Sequence, residues 1–358
     1  MTRRASPAPG STPLSKDTLS ELLRAVRLRG AIYYYVDGFA PWVAEAPHAR
    51  DIAAAVIPGA EHLIEYHVVT RGACWGAIAG EPAVRLEQGD LIMFPQGDAH
   101  VMSSAPGMRV PEVDRSLFFS SKPPQLPYVL TQRGARTHSE AAVDTVRLDG
   151  GGESSTIVCG FLGCDARPFN PLLNSLPRLL HMKRAATAGT FHEQFMALAV
   201  DETNRKRPGG EAVLERLSEL MFVDVVRRYL ESLPPGETGW LAGLRDRYVG
   251  RALAFLHERP SHGWTIDELT HAVGLSRSAL HERFTAMVGQ SPMQYLTHWR
   301  MQVASRLLSE TTLNMAAVAL EAGYDSEAAF SRAFKRAVGV PPATWRRERV
   351  ANAIRTIG

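Results

Sequence analysis

Two helix-turn-helix signatures stand in a row between Trp264 and Trp345, their turns marked by Gly274 and Gly323, 49 residues apart. In the first, Ile266, Leu269, Ala272 and Val273 form an apolar helical stripe, Gly274 and Leu275 turn the chain, and Ser276 opens a helix carrying Leu280 and Phe284. The second repeats the plan with Met315, Val318 and Ala319, then Gly323 and Tyr324, then Asp325 or Ser326 opening a helix with Phe330 and Phe334. Glycine suits the turn because it tolerates positive φ between two steeply packed helices. Ser and Asp suit the next position because their oxygens accept from the free N–H groups of the new helix.

The segment between the signatures predicts a rigid spacer. Pro292 begins a helix running to about Leu308, with Tyr295, Leu296, Trp299, Val303, Leu307 and Leu308 at helical spacing. Seventeen residues give roughly 25 Å, of the order needed to offer two reading helices to major-groove faces about 34 Å apart.

Several segments together resemble the AraC/XylS transcription regulators over about Tyr248 to Arg347: Trp264-Thr-Ile-Asp-Glu-Leu269, Gly274-Leu-Ser-Arg-Ser-Ala-Leu280, Gly289-Gln-Ser-Pro292, Tyr295-Leu296 with Arg300 and Ala304, Ala322 to Arg336, and Gly339 to Arg346. The resemblance implies a DNA-binding module of two helix-turn-helix units joined by a long helix, with double-stranded promoter DNA and RNA polymerase as partners.

Only the outward face of each second helix can reach base edges. With Leu280 and Phe284 turned inward, the first helix offers Arg277, Ser278, His281 and Glu282. With Phe330 and Phe334 inward, the second offers Glu327, Ala328, Ser331 and Arg332. Arg332 can donate twice to guanine, a glutamate accepts from a cytosine amino group, and Ala328 suits a thymine methyl. By resemblance Arg332 also holds the place of a DNA-contacting arginine. Glu282 stands where the family often has arginine, which leaves the first helix's base contacts open, and both glutamates read equally well as solvated surface.

Charge points the same way, modestly. The chain has Lys+Arg 40 against Asp+Glu 37, but from Gly250 onward 13 basic residues face 9 acidic ones. Lys335, Arg336, Arg346 and Arg347 are candidate phosphate contacts, or equally a basic helix end that favours its own dipole.

At 358 residues the chain predicts two to three folding units. No apolar run is long enough to span a bilayer, so no membrane partner is expected. The start, 1–17, has basic residues and then Pro, Ser, Thr and Gly without the apolar stretch of a secretory signal, and reads as a disordered arm. Three cysteines, Cys74, Cys159 and Cys164, fit a reducing cytoplasm better than a disulfide framework.

From Ala31 to about Gly163 the pattern changes to short β-rich runs: Ile32 to Val36, Leu63 to Val69, Cys74 to Ala79, Leu91 to Phe94 and Ser155 to Phe161. Many short strands without long helices between them predict a barrel or sandwich. Gly89-Asp-Leu-Ile-Met-Phe-Pro95-Gln-Gly97-Asp-Ala-His100 resembles the second cupin motif, and Glu65 lies where cupins place the glutamate of their first. That resemblance implies a site of three histidines and a glutamate. Here His100, Glu65 and His67 are present, the paired His-x-His is missing, and His62 has the wrong spacing. The residues therefore predict a remodelled ligand pocket of Glu65, His67 and His100, with no metal and no cofactor. Alternation puts Glu65 and His67 on one face, opposite Tyr66.

The expected organisation is multidomain: arm 1–17, cupin-like sensing barrel 18–170, helical connector 171–247 with a possible dimer seam, and all-α DNA-binding module 248–350. In the connector, Val213, Leu214, Leu217, Leu220, Met221, Val225 and Leu230 share an apolar face, read as core against 191–200 or as a seam between two subunits. The function expected is sequence-specific DNA binding by a cytoplasmic homodimer, controlled by an unidentified small molecule or by oxidation of Cys74, Cys159 or Cys164. A cupin enzyme is the rival from another class, and the missing His-x-His argues against it.

Overall fold

A computed structural model describes residues 17–113, 115–119, 127–134, 136–139, 153–184, 191–205 and 207–357. The expected arm, apart from Asp17, lies outside them. Helix α1 (Thr18–Ala25) leads into β1 (Arg29–Ala46), α2 (Ala49–Val56), β2 (His62–Arg71), β3 (Ala73–Ile78), β4 (Val84–Glu87), β5 (Leu91–Phe94), β6 (His100–Ser103) and the short α3 (Ser116–Phe119). Then follow β7 (Tyr128–Gly134), β8 (Arg136–Ser139), β9 (Ser154–Cys164), α4 (Pro171–Ser175), β10 (Leu180–Met182), α5 (Phe191–Arg205) and α6 (Gly210–Ser232). The rest is helical: α7 (Trp240–Arg245), α8 (Arg247–Glu258), α9 (Ile266–Val273), α10 (Arg277–Val288), α11 (Pro292–Glu310), α12 (Met315–Glu321), α13 (Glu327–Val338) and α14 (Pro342–Ile357). The chain forms two compact units, one of Val26–Gly236 with Ala343–Gly358, the other of Met1–Ala25 with Glu237–Pro342.

In the first unit the strands follow the order β10-β5-β2-β9-β1-β6-β3-β4, with β7 and β8 branching from β1. Every pairing between these strands is antiparallel except β7 on β1. The long β1 is what curls the sheet. Its first part pairs with β9 and β7, its register slips between Phe39 and Trp42, and its last residues, Val43 to Ala46, pair with β6 instead. A strand shared in this way must bend, because an irregular register adds local twist. The curl gathers Tyr34, Val36, Trp42, Met102, Ile157 and Phe161 into one apolar cluster inside a cupin-like half-barrel. The five strands expected from the sequence lie within β1, β2, β3, β5 and β9, apart from Ala79, which falls just beyond β3.

Helix α6 lies against this sheet. Tyr66 and Ser218 share a buried hydrogen bond of 2.7 Å, and a Cβ on Gly30 would stand 2.5 Å from that of Ser218. Of the apolar face read from the sequence, Leu214, Leu217, Met221 and Val225 are buried, whereas Val213 and Leu220 are exposed. The same unit holds the final helix through Arg349, which contacts Asp165 at 3.2 Å and Glu61 at 2.6 Å.

The second unit is all-α, and its helix starts are chemically explicit. Thr265, Ser276, Ser291, Asn314 and Ser326 each cap a helix by accepting a backbone N–H, and Ser291 completes a capping box with Gln294. Ser326, not Asp325, opens α13. Gly274 and Gly323 have φ of 86° and 78°. At Gly323 space matters too, since a Cβ would meet the Arg300 guanidinium at 2.9 Å. Leu269, Val273, Leu280, Phe284, Val318, Ala319, Phe330 and Phe334 are all buried, on the side that the stripes assigned inward. The spacer α11 has 19 residues, about 28 Å at the usual rise.

Candidate functional site

On α10 the structure leaves Arg277, Ser278, His281 and Glu282 exposed, while Leu280 and Phe284 are buried. On α13 it leaves Glu327, Ala328, Arg332, Lys335 and Arg336 exposed and Ser331 half-buried. Each set shares the outward face of a helix that follows a glycine turn. The cation that sequence reasoning left aside, Arg283, is engaged elsewhere. It donates to Asp246 through Nε and Nη2 at 2.6–3.1 Å and lies over the Tyr248 ring. Asp246 also caps α8, and these contacts hold its carboxyl below the usual range against the opposing effect of burial. Nothing local in the sequence links residues 246 and 283.

Beneath this surface lies a polar network with no signature in the sequence. His257 stacks on Trp299 with ring centres 3.9 Å apart, and its Nε2 lies 2.7 Å from the Tyr295 hydroxyl. That hydroxyl accepts from Trp240 Nε1 at 2.7 Å. Burial lowers His257 to about 3, so the ring is neutral. Arg300 ties the spacer down by donating to the carbonyls of Pro260 and His262, each at 2.8 Å.

The half-barrel contains a cavity of about 120 Å³. Its walls are largely apolar, with Val36, Trp42, Met102, Phe118, Leu130, Ile157 and Phe161 among them, and Glu65, His67 and His100 also line it. The alternation on β2 that put Glu65 and His67 on one face is thus what brings both to the interior, with His100 arriving at the start of β6.

The protonation of this trio follows from its contacts. His100 Nδ1 lies 3.0 Å from the Asp98 carbonyl, which can only accept, so Nδ1 carries the proton. His100 Nε2 is then an acceptor, and the proton across the 2.6 Å gap to His67 Nε2 belongs to His67. Burial lowers both imidazoles, His100 to about 4, and raises the Glu65 carboxyl well above its usual range. The 3.7 Å approach of Glu65 to His100 is therefore a contact between neutral groups, not an ion pair. Among the described residues, the buried atoms Glu65 Oε1 and His67 Nδ1 have no hydrogen-bond partner.

This donor set does not fit the metal that cupin barrels carry. Two nitrogens bound to one ion at about 2.1 Å each would stand roughly 3 Å or more apart, and these share a hydrogen at 2.6 Å. Among the described residues no group of three His, Cys, Asp or Glu is arranged to hold an ion.

The cysteines are all free and buried. Burial raises every thiol, Cys74 to about 12, and keeps it protonated. Cys159 lines the cavity. No helix among the described residues is long and apolar enough to cross a membrane.

Comparison with known proteins bears on both units. The Cupin family matches residues 17–231, and the Helix-turn-helix domain family residues 269–348. A protein of Streptomyces antibioticus named as an AraC-like transcription regulator is 33% identical over 298 residues, covering 82% of this chain and 90% of its own length. The transcriptional regulator AlkR of Acinetobacter baylyi is 26% identical over 336 residues, covering 93% of this chain and 99% of its own. Among solved structures, the DNA-binding domain of AdpA in complex with a target DNA is 27% identical and covers 28% of this chain and 92% of its own, with a TM-score of 0.27.

Proposed function

This chain belongs to the AraC family of DNA-binding transcription regulators, with a cupin domain ahead of its helix-turn-helix module, and we propose that it binds promoter DNA sequence-specifically under the control of a small molecule held in the barrel. The observation that carries the proposal is the mostly apolar cavity with a buried polar trio on its lining. Cavities of this composition favour small ligands, the apolar walls supplying affinity and a few polar groups the selectivity. The ligand acts only if it binds one DNA-binding state of the chain better than another.

On the DNA side the reading assigns base contacts to Arg277, Ser278, His281, Glu282, Glu327, Ala328, Ser331 and Arg332, and phosphate contacts to Lys335 and Arg336. Their shared outward faces support it. A second copy of the chain and RNA polymerase are its further partners, and the cytoplasm is its place of action. Control by thiol oxidation draws less support, because oxidation needs an accessible thiolate and these thiols are buried and protonated.

The test uses the full chain. Fluorescence anisotropy at about 150 mM salt, within the range where specific and non-specific binding separate, should show promoter DNA retained over unrelated DNA. A small-molecule extract of the source cells should shift that affinity, and a Met102→Trp variant, its cavity filled, should not respond. A filled variant that responds like the parent overturns the ligand reading, and equal retention of both DNAs overturns sequence specificity.

A further inference from the structure

We propose that the barrel cavity selects a small, mostly apolar molecule bearing one hydroxyl group, an alcohol or a phenol, seated between His67 and Glu65. The inference rests on the reading that the barrel holds the effector, and it adds the effector's chemical class.

Size comes first. A water needs about 10–15 Å³ of such space, so a cavity of about 120 Å³ admits a molecule of roughly ten non-hydrogen atoms. Most of its wall is hydrocarbon or aromatic, which excludes sugars and other many-hydroxyl compounds whose groups would find no partners there.

Charge comes second. Among the described residues lining the cavity none is lysine or arginine, so a carboxylate would enter with no counter-ion. Of the lining carboxyls, Glu45 is already engaged by Arg109 through two hydrogen bonds, at 2.9 and 2.5 Å, Glu112 is exposed to solvent, and Glu65 is buried with no cation beside it. An ammonium ion gains little from any of them.

Hydrogen-bond polarity then decides the head group. With its Nε2–H donated to His100, His67 has Nδ1 left as an acceptor with no partner among the described residues. Buried and protonated, Glu65 has a carboxyl that donates, and its Oε1 has no partner among the described residues either. The two residues are two apart on β2, on one face. A group that donates to one and accepts from the other satisfies both, and a hydroxyl does this with a single atom. A ketone or ether accepts only, and a hydrocarbon does neither.

The experiment is calorimetric titration of the full chain at pH 7 with hexan-1-ol and 4-ethylphenol, against ethylbenzene, 4-ethylbenzoate and 4-ethylbenzylamine. A hydroxyl probe is expected to bind about tenfold or more tightly than ethylbenzene and than either ion, because each alternative leaves a buried group unpaired. In Glu65→Leu the preference over ethylbenzene should fall to within about twofold, whereas Glu65→Gln, which still donates and accepts, should keep most of it. Binding of ethylbenzene or of either ion as tight as that of the hydroxyl probes overturns the inference, as does an undiminished preference in a folded Glu65→Leu. If no probe binds while the cell extract still shifts DNA affinity through the cavity, the hydroxyl class falls and the ligand reading stands. If the extract also does nothing, both fall.

Discussion

Phe284 of α10 and Phe334 of α13 are each fully buried, and each helix starts at a serine, Ser276 or Ser326, that accepts from the N–H three residues on. Outward, the two helices part company. The α13 surface carries Arg332, Lys335 and Arg336, all exposed, with Glu327 in the first turn where a carboxylate favours the helix dipole. The α10 surface carries Arg277 and Glu282, and its other cation is bound to Asp246. Packing and capping constrain the inward and terminal positions of both helices alike and leave the outward ones free to diverge. In the proposed function this gives α13 the larger share of phosphate and guanine contact, and α10 a smaller one in which Glu282 repels the backbone.

Equivalence of the two cores predicts equal damage. Phe284→Ala and Phe334→Ala should each cost about 3–5 kcal/mol and agree within about 1 kcal/mol, as measured by urea denaturation. A clear inequality would show that the helices are supported differently. Acid should expose one such difference. Tyr295 packs edge-on against Phe284 at 5.8 Å, and its hydroxyl is hydrogen-bonded to the buried His257. His257 is held near 3 in the folded state against about 6.5 unfolded, so the unfolded chain binds more protons between those values. Its neutral form stabilises the fold fully above about pH 6.5, and that contribution, of the order of a few kcal/mol, is lost as pH falls toward 3. Hydrogen exchange at pH 4.5 should accelerate in α10 before α13, and equal acceleration would count against a local cause.

Arg332→Ala should weaken promoter binding by about 1–3 kcal/mol and relax the choice of one base pair. Arg277→Ala should cost less. Anisotropy on matched promoter and scrambled duplexes separates the two, and the reverse order would overturn the assignment of the main contact to α13.

The legible parts of this chain are those governed by neighbours in sequence. Gly274, Ser276, Gly323 and the buried phenylalanines declare their turns, caps and inward faces within a dozen residues, whereas Asp325 is separable from Ser326 only by geometry, since Ser326 Oγ lies 3.2 Å from the Ala329 N–H. On β2, alternation puts Glu65 and His67 together, and the turn before His100 marks it, but the proton chain joining the three needs distances. Contacts between remote residues leave no trace. Gln302, in the spacer, donates to the carbonyl of Ala25 at 2.8 Å, which fastens α1 within the helical unit. Arg349 reaches Asp165 and Glu61 from the last helix in the same way. Burial of the cysteines is equally illegible, because a free thiol carries no pattern that distinguishes surface from core.

Arg283 supplies the smallest and sharpest trial of the comparison between α10 and α13. Its side chain is 50% exposed and its partner 6% exposed, so solvent screens the pair, and Arg283→Ala should cost less than about 1 kcal/mol of stability. Asp246 would keep its two backbone partners, the N–H groups of Tyr248 and Val249 at 3.0 and 2.9 Å, and α8 would stay capped. Promoter affinity should change by no more than about twofold if the arginine remains on Asp246 when DNA is bound. A loss as large as that of Arg332→Ala would mean that Arg283 leaves Asp246 for a phosphate, and that α10 contributes a cation that the free protein conceals.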